Sequence, residues 1–144
     1  MAAVLDLSKH QFAETASKGR WIELSEGGEV LVARWNNPQF RQLQTKLYQY
    51  YRRPGQGPRI KGNTIPGEVQ EKITFELVVK TIVMDWRGFM NGPDALECTE
   101  ETKRALLGNE QYRWIFDEIT AAAMDEESYR QGALEDDLGN SQAA

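Results

Sequence analysis

"TIVMDWRGFMNGPDALECTEETKRALLG", residues 81–108, is the stretch on which the fold depends. It begins at the end of an apolar run, breaks at a Gly/Pro-rich turn and restarts at Thr99-Glu100-Glu101. Threonine caps the free N–H groups of a helix start, and acidic side chains suit the positive end of the helix dipole. Asp85-Trp86 closes the apolar run, so this stretch can be a catalytic corner, a binding surface or the turn between two helices.

The apolar run itself predicts a helix over residues 68–87. Its apolar side chains recur at helical spacing and cover a broader face than a surface helix needs, so we expect the central helix of the core. Trp86 continues that apolar face, while Asp85 points outward or bonds a neighbouring backbone group. After the turn, the sequence predicts a short helix at 100–107 and a last helix at 110–130.

The clearest helix signals stand upstream, at residues 38–52. Asn37 can cap the first turn, and Pro38 suits the first helical position because no N–H is needed there. Pro54-Gly55 ends the helix and opens a loop over residues 54–67. No Gly-Lys-Ser/Thr follows the glycines of this loop, so it is not a phosphate-binding loop.

A β-hairpin is predicted at residues 20–35, "RWIELSEGGEVLVARW". Two β-rich runs flank Gly27-Gly28, which is a turn signal. The predicted fold class is therefore mainly α: a small helical bundle with an N-terminal β-hairpin. We expect a flexible N-terminal arm (1–19), a single mostly helical domain (20–131) and an acidic flexible tail (132–144).

The predicted core joins residues of the hairpin and of all four helices. Its members are Trp21, Phe40, Leu43, Leu47, Ile73, Leu77, Ile82, Trp86, Leu106, Ile115, Phe116 and Ile119.

Composition narrows the functional class. The 144 residues fit one domain, and their net charge of −5 argues against nucleic-acid binding through phosphate neutralisation. No apolar run is long enough for a membrane span, and the first residues do not resemble a secretory signal. A single cysteine, Cys98, allows no internal disulfide. We expect a soluble intracellular protein that binds neither membrane nor nucleic acid.

The charge is divided unevenly along the chain. Residues 1–62 contain ten Lys/Arg against five Asp/Glu, a net +5, whereas residues 63–144 contain seven against seventeen, a net −10. Such a division favours attraction between the two ends, within one molecule or between copies, and it also suits charged partners.

Chemistry-bearing residues do not converge in the sequence. His10 and Cys98 are far apart and have no partner cluster for a nucleophile pair or a zinc site. The adjacent carboxylates Asp125, Glu126 and Glu127 fan around a helix instead of meeting at one point. We therefore expect a protein that is not an enzyme and has no metal and no cofactor.

The aromatic residues of the first helix indicate a partner-binding surface. Three tyrosines within four positions, beside two arginines, cannot all face one core, so some are expected to contact a partner. We hypothesise that this surface combines the tyrosines and arginines with acidic residues of the last helix. The candidate residues are Tyr48, Tyr51, Arg52, Arg53, Glu118, Asp125 and Glu126.

The order of these motifs resembles the tail assembly chaperones of long-tailed bacteriophages. The stretches that carry the resemblance are "GRWIEL", "GGEVLVARWNNPQFRQL", "DWRGF" and "CTEETKRALLGNEQYRWIFDEITAAAMDEESYRQGALEDDLGNS". Together they span about residues 19–141. The order of the motifs carries the resemblance more than any single motif.

The resemblance implies a non-catalytic factor made in the host cytoplasm. Such proteins keep the tape measure protein soluble, bring tail tube protein to it and are left out of the finished virion. Many members also occur as a longer, frameshifted form, so the partners implied are the tape measure protein, the tail tube protein, further copies of the chain and that longer form.

Two other classes of function remain open at this point. A structural tail or head-completion protein would stay in the virion. A small host-directed regulatory protein would bind a host enzyme instead of a tail protein.

Overall fold

The computed structural model describes residues 19–125. The elements in chain order are β1 (Arg20–Glu23), β2 (Glu29–Val32), α1 (Pro38–Arg52), α2 (Gly67–Leu77), a π-helical turn (Val78–Ile82), β3 (Val83–Arg87), β4 (Met90–Asn91), β5 (Asp94–Ala95), α3 (Glu100–Leu107), a 3₁₀ turn (Glu110–Tyr112) and α4 (Arg113–Met124). None of the described helices combines the length and the apolar character that a membrane span requires.

A three-stranded antiparallel sheet lies against the helices, in the order β1-β2-β3. Trp21 pairs with Leu31 across the first two strands, and Val30 pairs with Trp86 across the next two. The short strands β4 and β5 form a second antiparallel sheet. The fold is therefore mixed α/β, and the prediction of a mainly α helical bundle is wrong.

The error arises in the segment predicted as one helix, 68–87. The α-helix ends at Leu77, a π-helical turn follows, and residues 83–87 form the third strand. Residues 78–83 are mostly β-branched, and their stiff side chains lower helix propensity and favour strands. The hydroxyl of Thr81 also donates to the Leu77 carbonyl (2.6 Å), inside the turn where the helix changes register.

The other predicted elements are confirmed within the described residues. The hairpin forms from β1 and β2, and helices form at Pro38–Arg52 and Glu100–Leu107. The last helix begins at Arg113 after a 3₁₀ turn, and its predicted end, residues 126–130, lies outside the described residues. The predicted arm, apart from Gly19, and the predicted tail also lie outside them.

Asn37 joins the first helix to the π-helical turn. Its side-chain oxygen Oδ1 accepts from the Phe40 N–H (2.9 Å), which caps α1 as predicted. Its amide group donates to the carbonyls of Arg34 (2.8 Å) and Thr81 (3.2 Å). Asn37 is the buried polar side chain of the described part of the chain, and these three bonds satisfy it.

One core unites the sheet and the helices. Eight predicted core residues are buried: Phe40, Ile73, Leu77, Ile82, Trp86, Ile115, Phe116 and Ile119. Four are only partly buried: Trp21, Leu43, Leu47 and Leu106. Val30, Val32 and Val83 are fully buried strand residues that the predicted core does not include.

Candidate functional site

An apolar groove of about 440 Å³ opens between the β1–β2 turn, the β4–β5 hairpin, α3 and the start of α4. Most of its lining is aliphatic or aromatic. The lining residues are Leu24, Glu26, Gly27, Phe89, Met90, Asn91, Leu96, Thr102, Ala105, Leu106, Tyr112, Trp114 and Ile115. Met90 is 60% exposed, so part of this apolar surface faces solvent.

Glycines allow the hairpin turn to approach Phe89. Gly88 ends β3 with a φ of 76°, and Gly28 lies in the β1–β2 turn with a φ of 82°. A Cβ atom at Gly28 would come within 2.7 Å of the Phe89 ring, so the aromatic wall of the groove requires glycine there.

Trp86 supports that wall from below. Its ring stacks on Phe89 with 4.9 Å between the centroids, and its indole N–H donates to the Leu96 carbonyl (2.7 Å). The Leu96 N–H in turn donates to the Phe89 carbonyl (2.8 Å). These contacts hold both ends of the β4–β5 hairpin over a buried tryptophan.

The Asp85-Trp86 pair is thus part of a strand, and its interpretation as a turn between helices is wrong. The predicted directions of the two side chains are confirmed. Trp86 is 5% exposed, and the exposed Asp85 accepts a hydrogen bond from the Trp86 N–H (2.8 Å).

The positive charges of α3 are engaged away from the groove. Lys103 donates to the carbonyls of Val79 (3.3 Å) and Val83 (2.8 Å) at the change from π-helical turn to strand. Arg104 forms a two-pronged ion pair with Glu76 (2.6 and 2.8 Å), and its hydrogen bonds lower the pKa of that carboxyl. Among the described residues, no Lys or Arg lines the groove.

Four glutamates lie in the groove lining or next to it along the chain, and we call them the acidic rim: Glu26, Glu97, Glu101 and Glu110. Glu26 lines the groove, and the other three lie one or two positions from lining residues. All four are exposed, and none forms an ion pair within residues 19–125. The turns and helices that build the apolar lining therefore also carry exposed carboxylates.

Glu118 fixes the hairpin turn to the last helix. Its carboxylate accepts from the Ser25 N–H (2.9 Å) and the Ser25 hydroxyl (3.0 Å). This candidate partner-binding residue therefore positions one wall of the groove.

The aromatic candidates on α1 are less exposed than a binding surface would suggest. Tyr48 and Tyr51 are partly buried against the core, and the Tyr48 hydroxyl donates to Gln70 (3.3 Å). Tyr50, which is not among the candidate residues, is 53% exposed. Arg52 and Arg53 are exposed at the end of the same helix.

The structure separates the two halves of the hypothesised surface. The Ala123 carbonyl accepts from the Trp35 N–H (2.9 Å), so the end of α4, with the exposed Asp125, lies beside the start of α1. Tyr51 lies near the other end of α1, about 20 Å away at a helical rise of ~1.5 Å per residue. Glu126 lies outside the described residues.

Cys98 follows Glu97 of the acidic rim but does not line the groove. Cys98 is partly buried, and that burial raises the pKa of its thiol, which favours the protonated form. Within residues 19–125, no group of three or more His, Cys, Asp or Glu is placed to hold a metal ion. His10 lies outside the described residues.

Sequence patterns did not indicate the groove, since four separate segments build it. One feature of the sequence could have indicated the groove: Phe89 and Met90 follow a glycine and belong to no helical or strand periodicity. Large apolar residues in a Gly/Pro-rich turn need cover from elsewhere in the chain or from a partner.

A family model described as YdaY prophage protein matches residues 35–140. The match covers 106 of the 144 residues, including every element from α1 to α4. No curated protein matches the chain, and neither does any solved structure.

Proposed function

The chain belongs to the YdaY prophage protein family and is phage-derived, and from this premise we propose that it is a non-catalytic tail assembly chaperone. In this role it binds the tape measure protein in the host cytoplasm, keeps it soluble and helps recruit tail tube subunits. It then leaves before the virion is complete.

The observation that carries the proposal is the apolar groove with its acidic rim. A chaperone needs an accessible apolar surface for its client and enough charge to stay in solution itself. The groove offers aromatic and aliphatic side chains, and exposed carboxylates that form no ion pair within residues 19–125 lie in its lining or next to it along the chain. Within residues 19–125 they belong to no group of three or more His, Cys, Asp or Glu placed to hold a metal ion.

The groove suits one face of an amphipathic helix. Side chains at positions i, i+3 or i+4 and i+7 of such a helix point the same way and can enter a shallow apolar channel. Because the acidic-rim residues form no ion pair within residues 19–125, the preferred helix has Lys or Arg beside its apolar stripe. The proposed client is therefore a basic amphipathic segment of the tape measure protein.

Co-expression with an aggregation-prone fragment of the tape measure protein tests this site. Met90→Lys and Ala105→Lys place a cation and a longer side chain in the groove at exposed positions, so folding should be retained. The matched control is Met124→Lys, at a similarly exposed methionine outside the groove. We expect the fragment to become insoluble with either groove variant and to stay soluble with the control. A folded groove variant that still keeps the fragment soluble would contradict the proposal.

The surface hypothesised from the sequence is a second arm of the same experiment. Tyr48→Ala with Tyr51→Ala tests its aromatic part, and charge reversal at Asp125 and Glu126 tests its acidic part. Because both tyrosines pack partly on the core, circular dichroism must first show that the double variant is folded. If the tape measure fragment becomes insoluble with these variants and stays soluble with the groove variants, the client binds this surface and not the groove.

Mass spectrometry of purified virions tests the assembly role. We expect no peptides of this chain among the structural proteins, because a chaperone is released. Stoichiometric recovery would instead indicate a structural tail or head-completion protein.

A further inference from the structure

A second cavity, the basic cleft, lies at the C-terminal end of α1 and along the loop that follows. Its volume is about 640 Å³, and its charged lining residues are Arg52, Arg53, Arg59 and Lys61. Within the described part of the chain, no Asp or Glu lines it. Four cations thus surround one cavity in a chain whose net charge is −5.

Backbone carbonyls hold two of these cations in place. Arg59 donates to the carbonyls of Tyr50 (3.1 Å) and Gln56 (3.2 Å), and its guanidinium lies 5.0 Å from the Tyr50 ring centroid. Arg52 donates to the Gly62 carbonyl (2.9 Å). These partners are neutral, so they fix the side chains without cancelling their charge, and less side-chain entropy is lost when an anion binds.

The other two cations lack an acidic partner within residues 19–125. Neither Arg53 nor Lys61 forms an ion pair there, although both are exposed. Like charges gathered at one cavity repel one another, and an anionic ligand relieves that repulsion.

We propose that the basic cleft binds the acidic segment of the same molecule, residues 135–137. This segment contains three consecutive carboxylates, Glu135, Asp136 and Asp137. Consecutive carboxylates suit guanidinium groups already oriented by the backbone, because each carboxylate can accept two parallel hydrogen bonds.

The length of the chain permits this contact within one molecule. The end of α4 lies beside Trp35, at the start of α1, and the basic cleft lies at the other end of that helix. The fifteen residues of α1 span about 22 Å at ~1.5 Å per residue. Glu135 is ten positions after Asp125, and ten fully extended steps of the chain span at most about 33 Å. Tethering also gives the acidic segment an effective concentration in the millimolar range.

The charge of the whole chain favours this ligand over nucleic acid. A nucleic acid at the basic cleft would also meet the acidic groups that make the chain net negative. A short acidic segment occupies the cleft without extending over that surface.

Nuclear magnetic resonance of the full chain tests the contact. The test variant carries Glu135→Gln, Asp136→Asn and Asp137→Asn. The matched control carries Glu97→Gln, Glu101→Gln and Glu110→Gln, the same change of net charge on the acidic rim. We expect the backbone amide resonances of residues 52–61 to shift in the test variant, in low salt, and to keep their positions in the control. Unchanged resonances in the test variant would overturn the proposal.

The reciprocal variant, Arg53→Gln with Lys61→Gln, should shift the amide resonances of residues 135–137. Dilution should leave all these shifts unchanged, since the contact lies within one molecule; shifts that fade on dilution would assign it to a second copy and overturn the proposal. The proposal would also be overturned if single-stranded DNA bound at the cleft near 0.15 M salt and the acidic-segment variant bound it equally well. None of these outcomes depends on the tape measure protein.

Discussion

Trp86 connects the sheet to the aromatic wall of the groove through two distinct interactions. Its buried ring packs in the core and stacks on Phe89, and its indole N–H satisfies the Leu96 carbonyl. The two contributions can be separated, because phenylalanine retains much of the packing and loses the hydrogen bond.

We expect Trp86→Ala to lower the free energy of unfolding by about 3–5 kcal/mol, through lost packing and a cavity. Trp86→Phe should lower it by about 1–3 kcal/mol, because the Leu96 carbonyl loses its donor. Urea denaturation followed by far-UV circular dichroism measures both. Equal losses in the two variants would show that the hydrogen bond dominates, and no loss in either would show that Trp86 is not part of the core.

Two contributions of Asn37 to stability, the helix cap and the donated hydrogen bonds, can also be measured separately. Asn37→Ser keeps a capping oxygen for α1 but removes the donations to Arg34 and Thr81, whereas Asn37→Ala removes both functions. We expect the alanine variant to lose about 0.5–2 kcal/mol more of unfolding free energy than the serine variant. Thermal or urea unfolding of the pair measures that difference. Equal stability of the two variants would show that the cap contributes nothing.

At the scale of elements, the predictions that held were those with local causes. The helix Pro38–Arg52 has its cap, its first-turn proline and its Pro-Gly stop within the sequence that forms it. The helix Glu100–Leu107 likewise begins at Thr99, which forms a reciprocal capping pair with Thr102. Side-chain groups within a few residues of each end determined where these helices begin and end.

The strand Val83–Arg87 has a non-local cause, and for that reason it was missed. Its partner is β2, more than fifty positions earlier in the chain, so the ladder that stabilises it leaves no mark in local periodicity. Apolar residues from Val78 to Trp86 fit a helical stripe and a buried strand about equally well. The groove was missed for the same reason, because it exists only after β3 has placed Phe89 and Met90 beside α3 and α4.

The ion pair between Glu76 and Arg104 ties α2 to α3 and gives a pH-dependent contribution to stability. The hydrogen bonds from Arg104 lower the pKa of Glu76 below its ordinary 4.5. A carboxyl group whose pKa is lower in the folded state than in the unfolded state stabilises the fold at pH values above its unfolded-state pKa. This stabilisation is lost as the pH falls through its folded-state pKa. Glu76→Gln should therefore reduce stability at neutral pH, by roughly 1 kcal/mol for this partly exposed pair, and should weaken the pH dependence below 4.5.

Urea denaturation between about pH 3 and pH 7 measures this effect. The matched control is Glu29→Gln, which removes a similar pair with Arg87 between β2 and β3 (2.9 Å). Because that pair is exposed, solvent screening should make its effect smaller. A steeper loss of stability in acid for Glu76→Gln than for the unmodified protein would contradict the assigned role.

For the whole molecule, the division of charge along the sequence becomes a division in space. The basic cleft gathers cations at the end of α1, while the acidic rim lies in or next to the lining of the groove between the hairpins and the last two helices. The two proposals assign these surfaces to different ligands, a basic client helix and the chain's own acidic segment. Each surface is oppositely charged to its ligand, so the same acidic segment would be repelled from the groove.

The acidic rim should control how fast a client binds more than how long it stays. Exposed charges steer diffusional encounter but contribute little to the stability of the complex once apolar side chains are buried. Neutralising Glu101 and Glu110 to glutamine should therefore lower the association rate of a basic tape measure helix several-fold at low salt, and should leave its dissociation rate nearly unchanged. The matched control neutralises Glu68 and Glu71, two exposed glutamates of α2 that do not line the groove.

Stopped-flow measurements over a range of ionic strength separate the two rates. The difference between rim and control variants should vanish at high salt, where the rim is screened. A slower association in the control than in the rim variant would place the client elsewhere on the molecule.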